Sequence, residues 1–518
     1  MRRRAVLAAA ASALVGAPRA RGQGTRLLRF IPDADPGALD PVADPRPVVA
    51  AAALLVCDTL YGVNARLEPQ PQMCESHVAS DDLCAWTFLL RPDLRFHDGA
   101  PVTAHDAVAS LNRWMARDRM GQAIRDRLDA LEVADARTFR FRLRSAFAPM
   151  LYALGKCNPP LAVVLPERLA HASPTQPVAE LIGSGPMRLR AAEGGGRAVF
   201  ERVADYAARA EGADWLAGGK RVLFERIEWN VVPDPAAAAE ALQNGDADWW
   251  EAPDPDMVPL LKRNRNVIVD IVDPLGGLGA LRLNHRAPPF DDVRVRRILL
   301  ASLSQEACMR ALTGGDDALW KPMPGVFTPG TPVAAQVAAA ISGDPPAAPQ
   351  DLDAARRALA DLGVAGARAI VLAVDRVAER AQAGAVAALL QRLGFTPELQ
   401  PLAASALAAR LAQPEAWHCF ATWHDGAEMA TPAAAPLDAG GEGVGWPRSG
   451  TVQDAIAAWY AAGTPADAAA AALAVTRATL ANVSYIPTGF FQRYQAWRTS
   501  LSGIARAPLP LFWGVQKT

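Results

Sequence analysis

The chain has 518 residues, with 53 Lys or Arg against 54 Asp or Glu and a formal net charge of −1. Near-neutrality provides no field to attract nucleic acid or anionic lipid, so no nucleic-acid partner is expected. The length exceeds the ~250–300 residues over which a single core keeps growing, so two or three lobes are expected. Six cysteines (57, 74, 84, 157, 308 and 419) are too few for a disulfide-built scaffold in a chain this long.

Arg2, Arg3 and Arg4 precede an apolar run from Ala5 to Gly16. That run is shorter than the ~20 residues a membrane span requires. Ala20 and Gly22 then supply two small residues for signal cleavage, so residues 1–22 read as a signal peptide and Gln23 as the mature start. Arg3-Arg4-Ala5-Val6-Leu7 also loosely fits a twin-arginine signal, leaving both Sec and Tat export open. A buried N-terminal helix is the alternative. The first cysteine is Cys57, too far on for a lipid anchor, so a soluble periplasmic protein is expected. Only Lys156, Lys220, Lys262, Lys321 and Lys517 are lysines, which with the many Ala points to a GC-rich bacterial genome.

The mature chain opens with a strand over Leu27 to Ile31 and an apolar helix from Val48 to Leu60. A hairpin follows around the 80s. A turn at Ser80-Asp81-Asp82-Leu83 pairs Cys84 with Ala79 and sets Cys74 opposite Leu89, a register that argues against a bridge between the two cysteines. Thr103 is placed to cap the helix through Ser110 to Trp114. Another strand pair covers Ala130 to Leu143. Gly183-Ser184-Gly185-Pro186 makes a tight turn before an antiparallel pair, Met187 to Arg190 and Ala198 to Arg202. A strand over Ile227 to Val232, an Ala-rich helix over Asp234 to Leu242 stopped at Gly245, and a strand at Asp248 to Trp250 complete an α+β region.

Between 350 and 426 the rhythm changes. Leu352, Ala355, Leu359 and Leu362 lay one stripe on a helix closed by Gly363. Strands over Ala369 to Val374, Thr396 to Leu402 and Trp417 to Trp423 alternate with helices over Glu379 to Leu393 and Ala404 to Gln413. This alternation implies parallel pairing through right-handed crossovers. The Ala/Gly/Pro-rich stretches 331–350 and 426–450 read as long surface loops.

Five segments in this order resemble the extracellular solute-binding proteins of family 5, which serve ABC importers of dipeptides, oligopeptides, glutathione, nickel complexes and related solutes. They are Trp86 to Asp106 with its Phe96-His97-Asp98-Gly99 turn, Gly183 to Pro186, Glu201 to Tyr206, Leu283 to Arg296 with Pro288-Pro289-Phe290-Asp291-Asp292, and Asp353 to Gly363. The resemblance implies an α/β fold (α+β in the first lobe) of the two-lobed periplasmic binding protein type II kind with an extra subdomain. Lobe I would comprise 23–56, 186–275 and 489–518, the subdomain 57–185, and lobe II 276–488. It also implies solute capture by lobe closure, delivery to permease subunits with only peripheral contact at the membrane, no cofactor and no enzymatic role.

In a parallel α/β sheet, ligands bind beyond the carboxyl ends of the strands. The strand ending at Val374 brings Asp375 and Arg376 to that edge, and its neighbour brings Trp423, His424 and Asp425. A peptide-like solute needs a carboxylate for its ammonium, a cation for its carboxylate and an aromatic wall. Asp425, Arg376 and Trp423 provide those types. Trp446 from the following loop and Arg46 from the first lobe are further candidates. Each has a structural alternative: a turn cap for Asp425, core packing for Trp423, a solvated surface for Arg376 and a loop anchor for Trp446. Where the family often continues with Asp-Pro after the acidic residue, this chain has Gly426-Ala-Glu-Met-Ala-Thr-Pro432.

Other chemistry finds no support. Gly218-Gly219-Lys220 and Gly276-Gly277-Leu278-Gly279 lack the spacing of nucleotide-binding loops, and neither Gly-x-Ser-x-Gly nor Cys-x-x-Cys occurs. His418 and His424 would sit about 20 Å apart along one strand, too far for a shared metal. A nickel chelate, an opine or an oligosaccharide remain alternative solutes. A periplasmic hydrolase using a cleft carboxylate, or a sensor on the same fold, remain alternatives of other classes.

Overall fold

The computed structural model describes residues 26–193, 196–341 and 351–518. The signal sequence expected over 1–22 lies outside these residues. The structure is built on three main sheets. The first places strands in the order Val267–Ile271, Tyr494–Arg498, Trp249–Trp250, Leu27–Ile31, Arg226–Asn230, Arg197–Arg202 and Met187–Glu193. Leu27–Ile31 pairs in parallel with Arg226–Asn230 and Trp249–Trp250, and the remaining neighbours are antiparallel. Alternation along Leu27–Ile31 directs Phe30 into the core. Its ring centroid lies 4.9 Å from Trp229, 5.2 Å from Trp249 and 5.2 Å from Phe512. Phe512 thereby ties the C-terminal segment to the first strand.

The helix Pro47–Val56 is buried from Val48 onward. It stops short of the expected Leu60 because the backbone turns extended at Cys57, which lets Asp58 meet Lys220 at 2.7 Å in the interior. The Gly183–Pro186 turn lies against this helix end. A side-chain carbon on Gly183 would collide with the Val56 carbonyl, and the Gly185 N–H donates to that carbonyl at 2.8 Å. Close approach is therefore the reason for glycine there.

The second sheet runs Cys74–Ala79, Ala85–Leu90, Thr138–Leu143, Leu128–Val133, all antiparallel. Its inner face carries Phe88, Phe139 and Phe141, with Phe88 and Phe139 stacked at 5.2 Å. The hairpin register differs from the expected one. Ala79 faces Trp86 and Cys74 faces Leu90, with a bulge between Cys74 and Ser76. The turn widens because Ser80 pairs with Ala85 through N–H to carbonyl and hydroxyl contacts. All six cysteines are free thiols.

The third sheet is mixed, ordered Trp320–Lys321, Ile486–Phe491, Gly277–Leu283, Cys419–Asp425, Arg368–Val374, Thr396–Leu402. The last three strands pair in parallel, as the strand–helix alternation requires. The chain crosses between the first and third sheets twice, at 272–276 and at 492–493 rather than between 488 and 489. Gln492 joins the crossings by donating to the Asp273 carbonyl at 3.0 Å.

Two stretches expected as surface loops are otherwise. Pro332–Ile341 is a helix begun by Thr331, whose hydroxyl accepts the Ala334 N–H at 3.3 Å; the rest of 342–350 lies outside the described residues. Segment 426–450 turns inward, burying Met429, Ala433, Ala434 and Leu437 in the core shared by the second lobe and the subdomain and Ala427 against the first lobe. Small apolar side chains suit this path because the backbone lies close against its neighbours.

Candidate functional site

A cavity of about 320 Å³ lies where the three parts meet, within the range of small-molecule sites. Pro45 and Pro47 contribute from the first lobe, Arg117 to Met120, Lys156 and Asn158 to Pro160 from the subdomain, and Asp425, Glu428, Thr431, Ala433 and Ala435 from the second lobe. Its acidic side is set by the strand Cys419–Asp425. Parallel pairing with Arg368–Val374 is recorded only at Cys419 and Phe420, whereas the antiparallel ladder with Gly277–Leu283 continues to Asp425. Trp423 and Asp425 thus remain on the strand instead of beyond its end, and share one face.

Asp425 Oδ1 accepts the Ala427 N–H at 2.8 Å, so the turn cap foreseen as an alternative is present. Burial raises the Asp425 pKa, opposed by that N–H and by the charge of Arg493. Burial and then the Asp425 charge push Glu428 up to about 7, and the same two causes push Asp273 up to about 7. Burial pushes His424 down to about 3, aided by Arg282. Neutral His424 makes no ion pair with Glu428, 3.9 Å away.

The opposite wall is cationic. Lys156, 3% exposed, pairs with Asp118 at 2.8 Å. Asp118 also caps the helix Arg119–Arg127 by accepting the Gly121 N–H at 2.9 Å. Arg119 reaches across to Asp438 of the second lobe at 2.9 Å. Further contacts join the same two parts. Phe147 stacks on Tyr460 at 5.2 Å, the Arg127 guanidinium lies 5.2 Å from the Tyr460 ring, and the Ala148 N–H donates to the Tyr460 carbonyl at 2.8 Å.

Of the five residues singled out from sequence, only Asp425 lines this cavity. Trp423 stands behind it, its indole N–H 3.3 Å from Glu379, its ring 5.6 Å from Phe491 and 5.3 Å from the Arg493 guanidinium. Arg376 is exposed at the start of the helix Val377–Arg392, outside the cavity. Trp446 packs 5.9 Å from Trp417 beneath the Arg286 guanidinium, as a loop anchor. Arg46 folds back on Asp44 at 2.6 Å and on the Asp35 carbonyl at 2.8 Å, while its flanking prolines face the cavity.

Sequence reasoning missed Asp118, Arg119, Lys156, Glu428 and Arg493. Two signals were present. Lys156 is one of five lysines in an Arg-rich chain, and a compact ammonium fits where a guanidinium fork does not. Glu428 lies within the very segment that departs from the family's usual continuation.

Among the described residues, no helix is long and apolar enough to cross a membrane, and no group of three or more His, Cys, Asp or Glu is placed to hold a metal ion. Residues 68–441 match the family model of bacterial extracellular solute-binding proteins, family 5. A probable peptide ABC transporter periplasmic-binding protein of Sinorhizobium fredii is 30% identical over 501 residues, covering 92% of this chain and 91% of its own. The fold also matches the periplasmic binding protein DppA from Helicobacter pylori in complex with the peptide STSA, at TM-score 0.78 and 18% identity over 96% of this chain and 99% of that one. A binding protein of Agrobacterium tumefaciens in complex with agropinic acid matches at TM-score 0.78 and 18% identity, over 95% and 99% of the two chains. The chain therefore belongs to the bacterial extracellular solute-binding proteins of family 5.

Proposed function

We propose that the chain is the exported, periplasmic solute-capturing component of an ABC importer, and that its solute is a short zwitterionic, peptide-like molecule held between the lobes. The observation that carries this reading is the bipolar cavity, with Asp425 and Glu428 on one side and, on the other, Arg117, Arg119 and Lys156, the last paired with Asp118. An ammonium placed by Asp425 and an anionic group placed opposite satisfy both walls. Size supports a small solute: about 320 Å³ lies at the lower end of small-molecule sites. The name of the Sinorhizobium relative and the peptide held by the Helicobacter protein point the same way. Trp423 acts through Arg493 and Phe491 as a support of the Asp425 strand. The export assignment rests on the basic and apolar pattern of residues 1–22.

The reading is tested by thermal shift with dipeptides, tetrapeptides, opines and nickel–histidine. A ligand at 100 times its dissociation constant adds ~2.7 kcal/mol of stability. Dipeptides should give the largest shifts. Stabilisation by an opine or a nickel chelate alone would replace the peptide assignment.

A further inference from the structure

The chain passes from the second lobe to the first at a single residue. Ile486–Phe491 belongs to the third sheet, and the Gln492 N–H still donates to the Leu319 carbonyl of that lobe at 2.7 Å. Tyr494 already pairs with Ile271 in the first sheet. Arg493 stands between them, and its side chain touches both bodies. Its Nη1 lies 3.1 Å from Asp33 Oδ2 in the first lobe, and its guanidinium carbon lies 5.3 Å from the centre of the Trp423 ring in the second.

Each partner is fixed by its own lobe. Asp33 lies two residues beyond the strand Leu27–Ile31, and its N–H donates to Glu251 Oε2 at 2.9 Å. The Trp423 ring meets Phe491 edge to face, and its indole N–H faces Glu379 on the helix Val377–Arg392. A guanidinium pairs with a carboxylate through its edge and with an aromatic ring through its face, so Arg493 serves both without conflict. The lobes rotate about the crossings at 272–276 and 492–493, and a side chain placed there cannot follow both bodies. Opening must therefore give up the Asp33 pair, the Trp423 contact, or both. The state that holds the two also holds the cross-cleft contacts of Tyr460 with Phe147 and Arg127.

We propose that Arg493 is a positioning residue for solute capture: it clasps Asp33 of the first lobe to Trp423 of the second only when the cleft is closed. The clasp sits at the hinge rather than on the solute. It therefore sets how much of the protein is closed and leaves the choice of solute to the cavity. The inference rests on capture by lobe closure and is independent of which solute is captured. Both ends of the ion pair are partly exposed, Arg493 at 48% and Asp33 at 33% of the side chain. A partly exposed ion pair and cation–π contact together change the closed-to-open ratio roughly three- to thirtyfold.

The experiment uses the full mature chain, first empty and then with L-alanyl-L-alanine, its C-terminal amide and tetra-alanine as probes. Small-angle scattering of the empty protein measures the balance of open and closed forms. Arg493→Ala should shift that balance towards the open form, and so should Asp33→Asn and Trp423→Leu. The double variant Arg493→Ala/Asp33→Asn should go no further than Arg493→Ala alone, because the two residues share one contact. Calorimetry should show every probe that binds wild type weakened in Arg493→Ala by the factor by which the closed fraction falls, with ratios between probes kept within about twofold. Arg493→Lys, which keeps the charge and the Asp33 pair without the planar face, should recover part of the closed form. Thermal melting of each variant checks folding.

Scattering and affinities both unchanged in Arg493→Ala would overturn the inference. So would additive losses in the double variant, which would show that Arg493 and Asp33 share no contact. A loss confined to one probe would place Arg493 on the solute and overturn it too. Wild type that binds no probe would count against the peptide reading alone and leave the clasp to the scattering, where identical curves for wild type and Arg493→Ala would overturn it.

Discussion

Replacing Asp425 by Asn separates its charge from its geometry. Oδ1 accepts the Ala427 N–H at 2.8 Å, and an amide oxygen can keep that bond, so the turn should survive. What disappears is the negative charge facing the cavity. Removing one partner of a buried charge pair costs ~2–5 kcal/mol. Asp425 is only partly shielded from solvent, which places the loss near the lower end, and ~2 kcal/mol is ~30-fold in affinity. Asp425→Ala should lose the same affinity and in addition the turn bond, ~0.5–1.5 kcal/mol of stability. Calorimetry with a dipeptide that stabilises the wild type measures the first quantity and thermal melting the second. A second readout comes from Glu428, whose carboxyl is raised by burial and then by the Asp425 charge; its titration, followed by NMR, should move down in Asp425→Asn. Unchanged affinity in Asp425→Asn, with melting intact, would refute the reasoning and leave Asp425 as a turn cap alone.

Glu428 and Asp273 retain protons up to about 7 in the empty protein, whereas an unfolded chain releases them near ~4. Across that window the folded state binds more protons, so this contribution to stability is lost as pH rises. The melting temperature of the empty protein should therefore fall between pH 5.5 and 7.5 in carboxylate variants less than in wild type, compared by calorimetric scans. Solute affinity should show the opposite slope, declining by up to ~10-fold per pH unit below 7 for each proton an ammonium displaces. Tyr460→Ala removes the Phe147 stack and the Arg127 contact, together ~1–3 kcal/mol of closed-state preference. It should weaken all solutes by similar factors and shift small-angle scattering towards the open form. Lys156→Met leaves Asp118 buried without its partner and should destabilise the protein by ~3–5 kcal/mol, read by denaturant unfolding; adding Asp118→Asn should recover part of the loss.

The second lobe was the most legible part of the chain. Its apolar stripes and Gly363 and Gly394 stops set off helices and strands that the structure reproduces within a few residues, and Thr396–Leu402 falls where expected. Local periodicity suffices there because each element buries its own face. The segment 426–450 misled because Ala, Gly and Pro suit both a solvated loop and a tightly packed irregular one. The cavity was half legible. Asp425 could be placed from its strand, but Arg119 and Lys156 lie on the subdomain, distant in sequence, and only tertiary packing brings them opposite. Arg376 misled for a geometric reason: it follows the next strand, whose recorded pairing with Cys419–Asp425 ends at Phe420, so its rim position is not the cavity. The expected boundary between 488 and 489 falls inside the strand Ile486–Phe491, and only the separation of that strand and Tyr494–Arg498 into different sheets places the crossing at 492–493.

Capture of a short zwitterionic solute between the lobes is the central claim, and native mass spectrometry tests it most directly. The mature protein, freed of solute by mild unfolding and refolding, is exposed to an equimolar pool of dipeptides, tetrapeptides and opines. The account predicts one retained dipeptide per chain, strongly reduced in Asp425→Asn. Retention of tetrapeptides or opines in preference to dipeptides, or equal retention by Asp425→Asn, would contradict it.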